Sequence, residues 1–225
     1  MTTYLDYGET INLSKKDVNL KHLKIGISWD LKEGIDADLD VSILVLDECG
    51  KLLREDSIVF YNNLKLYDGA IQHSGDVITP GSESDDETIR IDLAKLPTNV
   101  KNILAVITIF NKEGSTETTF GCVKRISFNL SNADTNDVLY TFYVKDGHSR
   151  GTAVEMGRLF LENGEWCFTV IGEVISTTHN GLQGVIDKYN SSIIIDKNRE
   201  KTMSIITPIR HRVIRTRWTK RQNDS

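Results

Sequence analysis

Hydrophobic positions along this chain recur mainly with the period of a β-strand. Residues 23–29 (LKIGISW) alternate and are rich in β-branched types, as a strand with one buried face requires. Residues 39–46 (LDVSILVL) and 103–110 (ILAVITIF) are instead short, nearly continuous apolar runs. Their length and β-branching predict strands covered on both faces, at the centre of a sandwich. Residues 138–144 (VLYTFYV) predict a further strand. In 160–171 (FLENGEWCFTVI), Asn163 and Gly164 separate two strand-like arms. Both accept positive φ, so a hairpin with a two-residue turn is expected there. The window 149–161 has the best helical spacing, but it reads equally as the first arm of that hairpin. The fold expected is mainly β: a β-sandwich of two antiparallel or mixed sheets with few short helices.

Residues 181–184 (GLQG) read as the end of the main body, giving a domain over 1–185 and an extension over 186–225. Within the extension, 191–195 (SSIII) and 203–206 (MSII) could each form a short strand. The net charge of -5 is divided unevenly. Residues 186–225 hold ten Lys or Arg against four Asp or Glu, and residues 1–185 hold 17 against 28. Arg210, Arg212, Arg215 and Arg217 alternate with apolar or small residues near the end. In strand geometry each pair would share a face. This basic stretch reads either as a solvated terminus or as a contact for an anionic partner such as nucleic acid, lipid headgroups or the acidic body itself.

Composition adds exclusions. No apolar run approaches the roughly 18 residues of a membrane span. The first sixteen residues show neither a basic n-region nor an apolar h-region, so no secretory signal is read. Cys49, Cys122 and Cys167 are odd in number and far apart. They suit reduced thiols in a cytoplasmic protein better than a disulfide framework or a zinc site. Nothing matches a GxSxG, Walker or HExxH motif, and an enzyme is not expected.

The chemistry sits in two acidic stretches. Asp36, Asp38 and Asp40 precede and enter a buried run; on extended chain they would line one face at about 7 Å spacing. The second, 75–87 (GDVITPGSESDDE), carries Asp76, Glu83, Asp85, Asp86 and Glu87 among turn-forming residues. Two carboxylates about 5 Å apart at an effective dielectric near 20 repel by about 3 kcal/mol, which a bound cation would relieve. Oxygen-only donors select a hard ion, and calcium, with 6–8 ligands in an adaptable geometry, fits an irregular loop better than magnesium. Against this stands the plainer reading of solubilising surface loops, since neither stretch is an EF-hand.

The run VFYNNLKLYDGAIQHSGD (59–76) resembles the signature of the TerD family of tellurium-resistance and general-stress proteins. Further matching stretches follow in order over 8–184: GETINLSKKD (8–17), IGISWD (25–30), DADLDVSILVL (36–46), the 75–87 loop, IDLAKLP (91–97) and GEWCFTVIG (164–172). The resemblance implies a β-sandwich with calcium at acidic loops. It carries Asp36, Asp38, Asp76, Asp85, Asp86 and Glu87 onto acidic positions of the family pattern, with Asp40 matching as well. The chain departs from that pattern at Val77, where the family has Asn. It departs again at Pro80, Gly81, Ser82 and Ser84, across a Gly-Glu-Gly-x-Gly stretch, and Glu83 remains as a substitute donor. One of two expected sites is thereby weakened. The function expected is a calcium-binding, non-catalytic stress-response scaffold or sensor with protein partners. The alternatives are an adaptor that takes an anionic partner or nucleotide through the basic tail, and a magnesium-dependent phosphoester hydrolase built on Asp85, Asp86 and Glu87.

Overall fold

The two continuous apolar runs become neighbouring central strands, because only a strand covered on each side can bury every side chain. In the computed structural model, which describes residues 2–35, 37–75, 85–110, 118–144, 150–175 and 179–190, they are β4 (Asp38–Val45) and β9 (Asn102–Phe110). These pair antiparallel from Asp38↔Phe110 to Val45↔Ile103. Among the described residues they centre a six-stranded sheet that runs β2 (Thr10–Asn12), β13 (Glu165–Val174), β12 (Ala153–Glu162), β9, β4 and β5 (Ile58–Val59). A seven-stranded sheet runs β1 (Thr3–Tyr4), β11 (Val138–Tyr143), β10 (Val123–Asn132), β3 (His22–Leu31), β8 (Glu87–Asp92), β7 (Ile71–His73) and β6 (Lys65–Leu66). Among the described residues only the short β1–β11 pairing is parallel, and the mainly β sandwich with few short helices is the observed architecture.

Strand alternation builds the core. Leu39, Val41, Ile43 and Val45 of β4 and Ile103, Ala105, Ile107 and Ile109 of β9 face inward. There they meet Leu23, Ile25, Ile27 and Trp29 of β3 and Ile89 and Ile91 of β8 in one continuous cluster. The rings of Phe128, Phe142 and Phe168 bridge the sheets with centroids 4.7–6.4 Å apart. The expected hairpin is β12–β13, with Asn163 at φ 51° and Gly164 at φ 81°. The window 149–161 is thus the hairpin's first arm rather than a helix.

Residues 181–184 open a helix instead of ending the body: after the one-turn α1 (Leu13–Lys16), α2 spans Gly181–Tyr189. Leu182, Val185, Ile186 and Tyr189 are all buried, at the i, i+3, i+4, i+7 spacing of one helical face. The Tyr189 hydroxyl donates to Glu155 Oε1 at 2.6 Å, and the Lys188 ammonium binds the same carboxylate. Glu155 pairs across to Val106 on β9, so α2 covers the outer face of the six-stranded sheet, where Leu44, Leu104 and Val106 are buried. The limit expected at residue 185 falls inside this helix, and the compact unit runs to Tyr189. The strands expected at 191–195 and 203–206 lie outside the described residues.

Candidate functional site

One acid of β8, Glu87, reaches across to the backbone of Val41 in β4. Odd-numbered residues of β4 turn their N–H and C=O toward β5, since Ile43 pairs with Val59 and Val45 N–H donates to Ser57 C=O. β5 stops at Val59, and the ladder should lapse at Val41. Two side chains from the other sheet complete it. Val41 N–H donates to Glu87 Oε2 at 2.9 Å, and His73 Nε2–H donates to Val41 C=O at 3.1 Å. Gly75 N–H donates to His73 Nδ1 at 3.0 Å, which leaves the ring proton on Nε2. Glu87 and His73 are both fully enclosed, 3.7 Å apart.

The three consecutive acids 85–87 go three ways. Glu87 points inward with Ile89 and Ile91, as period-2 geometry requires. Asp86 sits at the edge of β3: its N–H donates to Ile27 C=O at 2.7 Å, and its Oδ2 accepts from Trp29 N–H at 3.0 Å. Asp85 lies on the outer face of the seven-stranded sheet. Its Oδ1 accepts from Asn129 Nδ2 at 2.6 Å, and its Oδ2 is 3.3 Å from the Lys24 ammonium. Asp38 and Asp40 are buried on β4, on the opposite side of that sheet from Leu39 and Val41. They share one face, as their spacing implied.

Glu87 thus serves Val41 and Asp86 serves Trp29, whereas Asp38 and Asp40 lie on the other side of the six-stranded sheet and Asp85 on the outer face of the seven-stranded one. Asp36, Asp76, Glu83 and the departures at Val77 and Gly81 lie outside the described residues, as do Arg210, Arg212, Arg215 and Arg217. Among the described residues no three His, Cys, Asp or Glu side chains are grouped closely enough to hold a metal. Carboxylates dominate the donors of the two acidic stretches, which suits a hard cation. Asp86 and Glu87 each commit one oxygen to a backbone N–H.

Sequence reasoning missed Lys24, Gly26 and Asn129. The signal was Gly26 itself, because an isolated glycine inside a strand marks a close approach. A Cβ built there would meet the Asp85 carboxylate carbon at 2.2 Å. Trp29 is a core residue and Trp166 packs at its margin. Cys49, Cys122 and Cys167 are all free thiols. Burial pushes the Cys122 thiol up from its ordinary value, and the same holds for Cys167. Among the described residues, no helix is long and apolar enough to cross a membrane.

Comparison with known proteins finds relatives along most of the chain. The chain is 34% identical over 196 residues to general stress protein 16U of Bacillus subtilis (strain 168), covering 86% of this chain and all of that one. It is 32% identical over 191 residues to tellurium resistance protein TerD of Serratia marcescens, covering 84% of this chain and 97% of the relative. A solved homologue of the telluride resistance protein from Streptomyces coelicolor A3(2) shares the fold, with a TM-score of 0.54 at 18% identity over 71% of this chain and 92% of its own. The family model of the TerD domain matches residues 1–189, ending where α2 ends, and the chain belongs to the TerD family.

Proposed function

We propose that the protein is a calcium-binding, non-catalytic stress-response domain of the cytoplasm. In this reading the cation orders the acidic stretches and so sets the surface offered to a protein partner. The observation that carries it is the burial of four carboxylates from the two acidic stretches, Asp38 and Asp40 on β4 and Asp86 and Glu87 where β8 begins. Asp36, Asp38, Asp76, Glu83, Asp86 and Glu87 would hold the ion, and Asp40 stands beside them. Calcium would supply charge neutralisation and order, with no reaction of its own. The names of the two relatives support a role in stress. The free cysteines favour a reducing compartment. Burial shifts the Cys122 thiol away from the low value an activated nucleophile needs.

The test is a thermal melt in EDTA, in calcium and in magnesium, with terbium luminescence read through Trp29, whose backbone N–H holds Asp86. Calcium at 100 times its dissociation constant adds about 2.7 kcal/mol, or about 5–10 °C for a domain of this size. Asp38→Asn should reduce that shift and the terbium signal. No shift at millimolar calcium, or an equal shift with magnesium, refutes the reading.

A further inference from the structure

Each oxygen of the Asp85 carboxylate already faces a partner in the protein. The carboxylate lies flat against Gly26 on the outer face of the seven-stranded sheet, and a Cβ on Gly26 would come within 2.2–2.7 Å of its three carboxyl atoms. Oδ1 accepts from Asn129 Nδ2 at 2.6 Å and Oδ2 faces the Lys24 ammonium at 3.3 Å. Asn129 is itself oriented, because Thr141 Oγ1 donates to its Oδ1 at 2.7 Å. The amide oxygen is thereby occupied, and the NH₂ is left to aim at Asp85. Thr141, Asn129, Asp85 and Lys24 form one relay across β11, β10 and β3. The Asp85 side chain is only 8% exposed within it.

We infer that Asp85 is not a calcium ligand but one jaw of a metal-independent clasp, in which the Lys24 ammonium takes the place a cation would hold. This inference rests on the calcium reading above and narrows its ligand set. A calcium ion on this carboxylate, at 2.3–2.6 Å, would stand about 5 Å from the Lys24 nitrogen, and the two positive charges oppose joint occupancy. The clasp also has a positional role. Asp85 stands two residues before Glu87, so pinning it to β3 and β10 fixes the entry to β8 before any ion arrives. Asp86 and Glu87 are then delivered to Trp29 and Val41 in register. Lys24 determines how many of the consecutive acids remain for a metal.

The experiment compares wild type, Asp85→Asn, Lys24→Met and Asp38→Asn, each full length. Melts are run in EDTA, and calcium titrations are followed by calorimetry. The clasp requires Asp85→Asn and Lys24→Met to melt below wild type in EDTA, where no metal contributes. It also requires Asp85→Asn to keep the wild-type calcium stoichiometry, with affinity changed less than about threefold, whereas Asp38→Asn weakens calcium tenfold or more. Loss of a calcium equivalent, or a tenfold loss of affinity, in Asp85→Asn overturns the inference. So do EDTA melts of both variants that match wild type. A wild-type protein that binds no calcium refutes the calcium reading instead, and the EDTA melts alone then decide the clasp.

Discussion

Gly26→Ala should destabilise this protein for a reason that disappears when Asp85 is removed. Gly26 sits in the interior of β3, and its φ is not positive. Alanine is therefore permitted there and, by restricting the unfolded chain, should stabilise by about 0.4–1 kcal/mol. Against this, the new Cβ would occupy the space of the Asp85 carboxylate, 2.2 Å from its carbon. The side chain can swing away, so the cost is bounded by what the clasp is worth. The Asn129 contact is a hydrogen bond to a charged group, worth about 1.5–3 kcal/mol when enclosed, and Lys24 adds an ion pair at 3.3 Å. Lys24 is a quarter exposed, so its share is discounted to about 1 kcal/mol or less. The balance is a net loss of about 1–3 kcal/mol for Gly26→Ala in wild type. In an Asp85→Ala background the obstacle is gone, and the same substitution should stabilise by about 0.4–1 kcal/mol. Urea unfolding of the four proteins of this cycle, in EDTA, reads the sign directly. A Gly26→Ala penalty of equal size in both backgrounds would show that the glycine serves the strand and not the carboxylate, and would refute this account.

Two further outcomes follow from other polar contacts. Glu155→Gln should loosen α2, since that carboxylate accepts from both Lys188 and Tyr189. A loss of about 1–3 kcal/mol, with faster amide exchange over 181–189 than over β12, is expected. Acid should also destabilise the protein. The Asp134 carboxyl is held below its ordinary value by its hydrogen bond from His22 and by Arg90. At Asp92 burial pushes upward, but the Lys95 hydrogen bond and charge, with His22, outweigh it and the net shift is downward. Folded values below the unfolded value of about 3.9 mean that the unfolded chain takes up protons first as pH falls. This stabilisation is complete above that value and is lost as pH drops through the folded ones. Melting midpoints from pH 6 to 2 should fall, and Asp134→Asn should flatten the lower part of the curve; an unchanged profile would discount this ion cluster.

What was legible in the sequence is what strand period alone determines. β4 and β9 were readable because a strand covered on both faces must be apolar at every position, and the β12–β13 turn because Asn163 and Gly164 accept positive φ cheaply. α2 was present in the spacing of Leu182, Val185, Ile186 and Tyr189, yet two glycines in its first turn resembled a chain end more than a helix. At the site, composition found the acids but could not say which way each one faces. Glu87 opens β8 and points inward, but Asp85 and Asp86 precede the strand, where its period does not hold, and Asp85 lies on the outer face, so consecutive carboxylates that look like one cluster on paper are separated by the thickness of a sheet. Their partners are also non-local: Glu87 serves Val41, Asp86 serves Trp29 and Asp85 serves Asn129. None of these pairs is closer than 44 residues in sequence. A glycine inside a strand was the local sign of such a partner. It points to a clasp on Asp85, where a count of negative charges points to a metal.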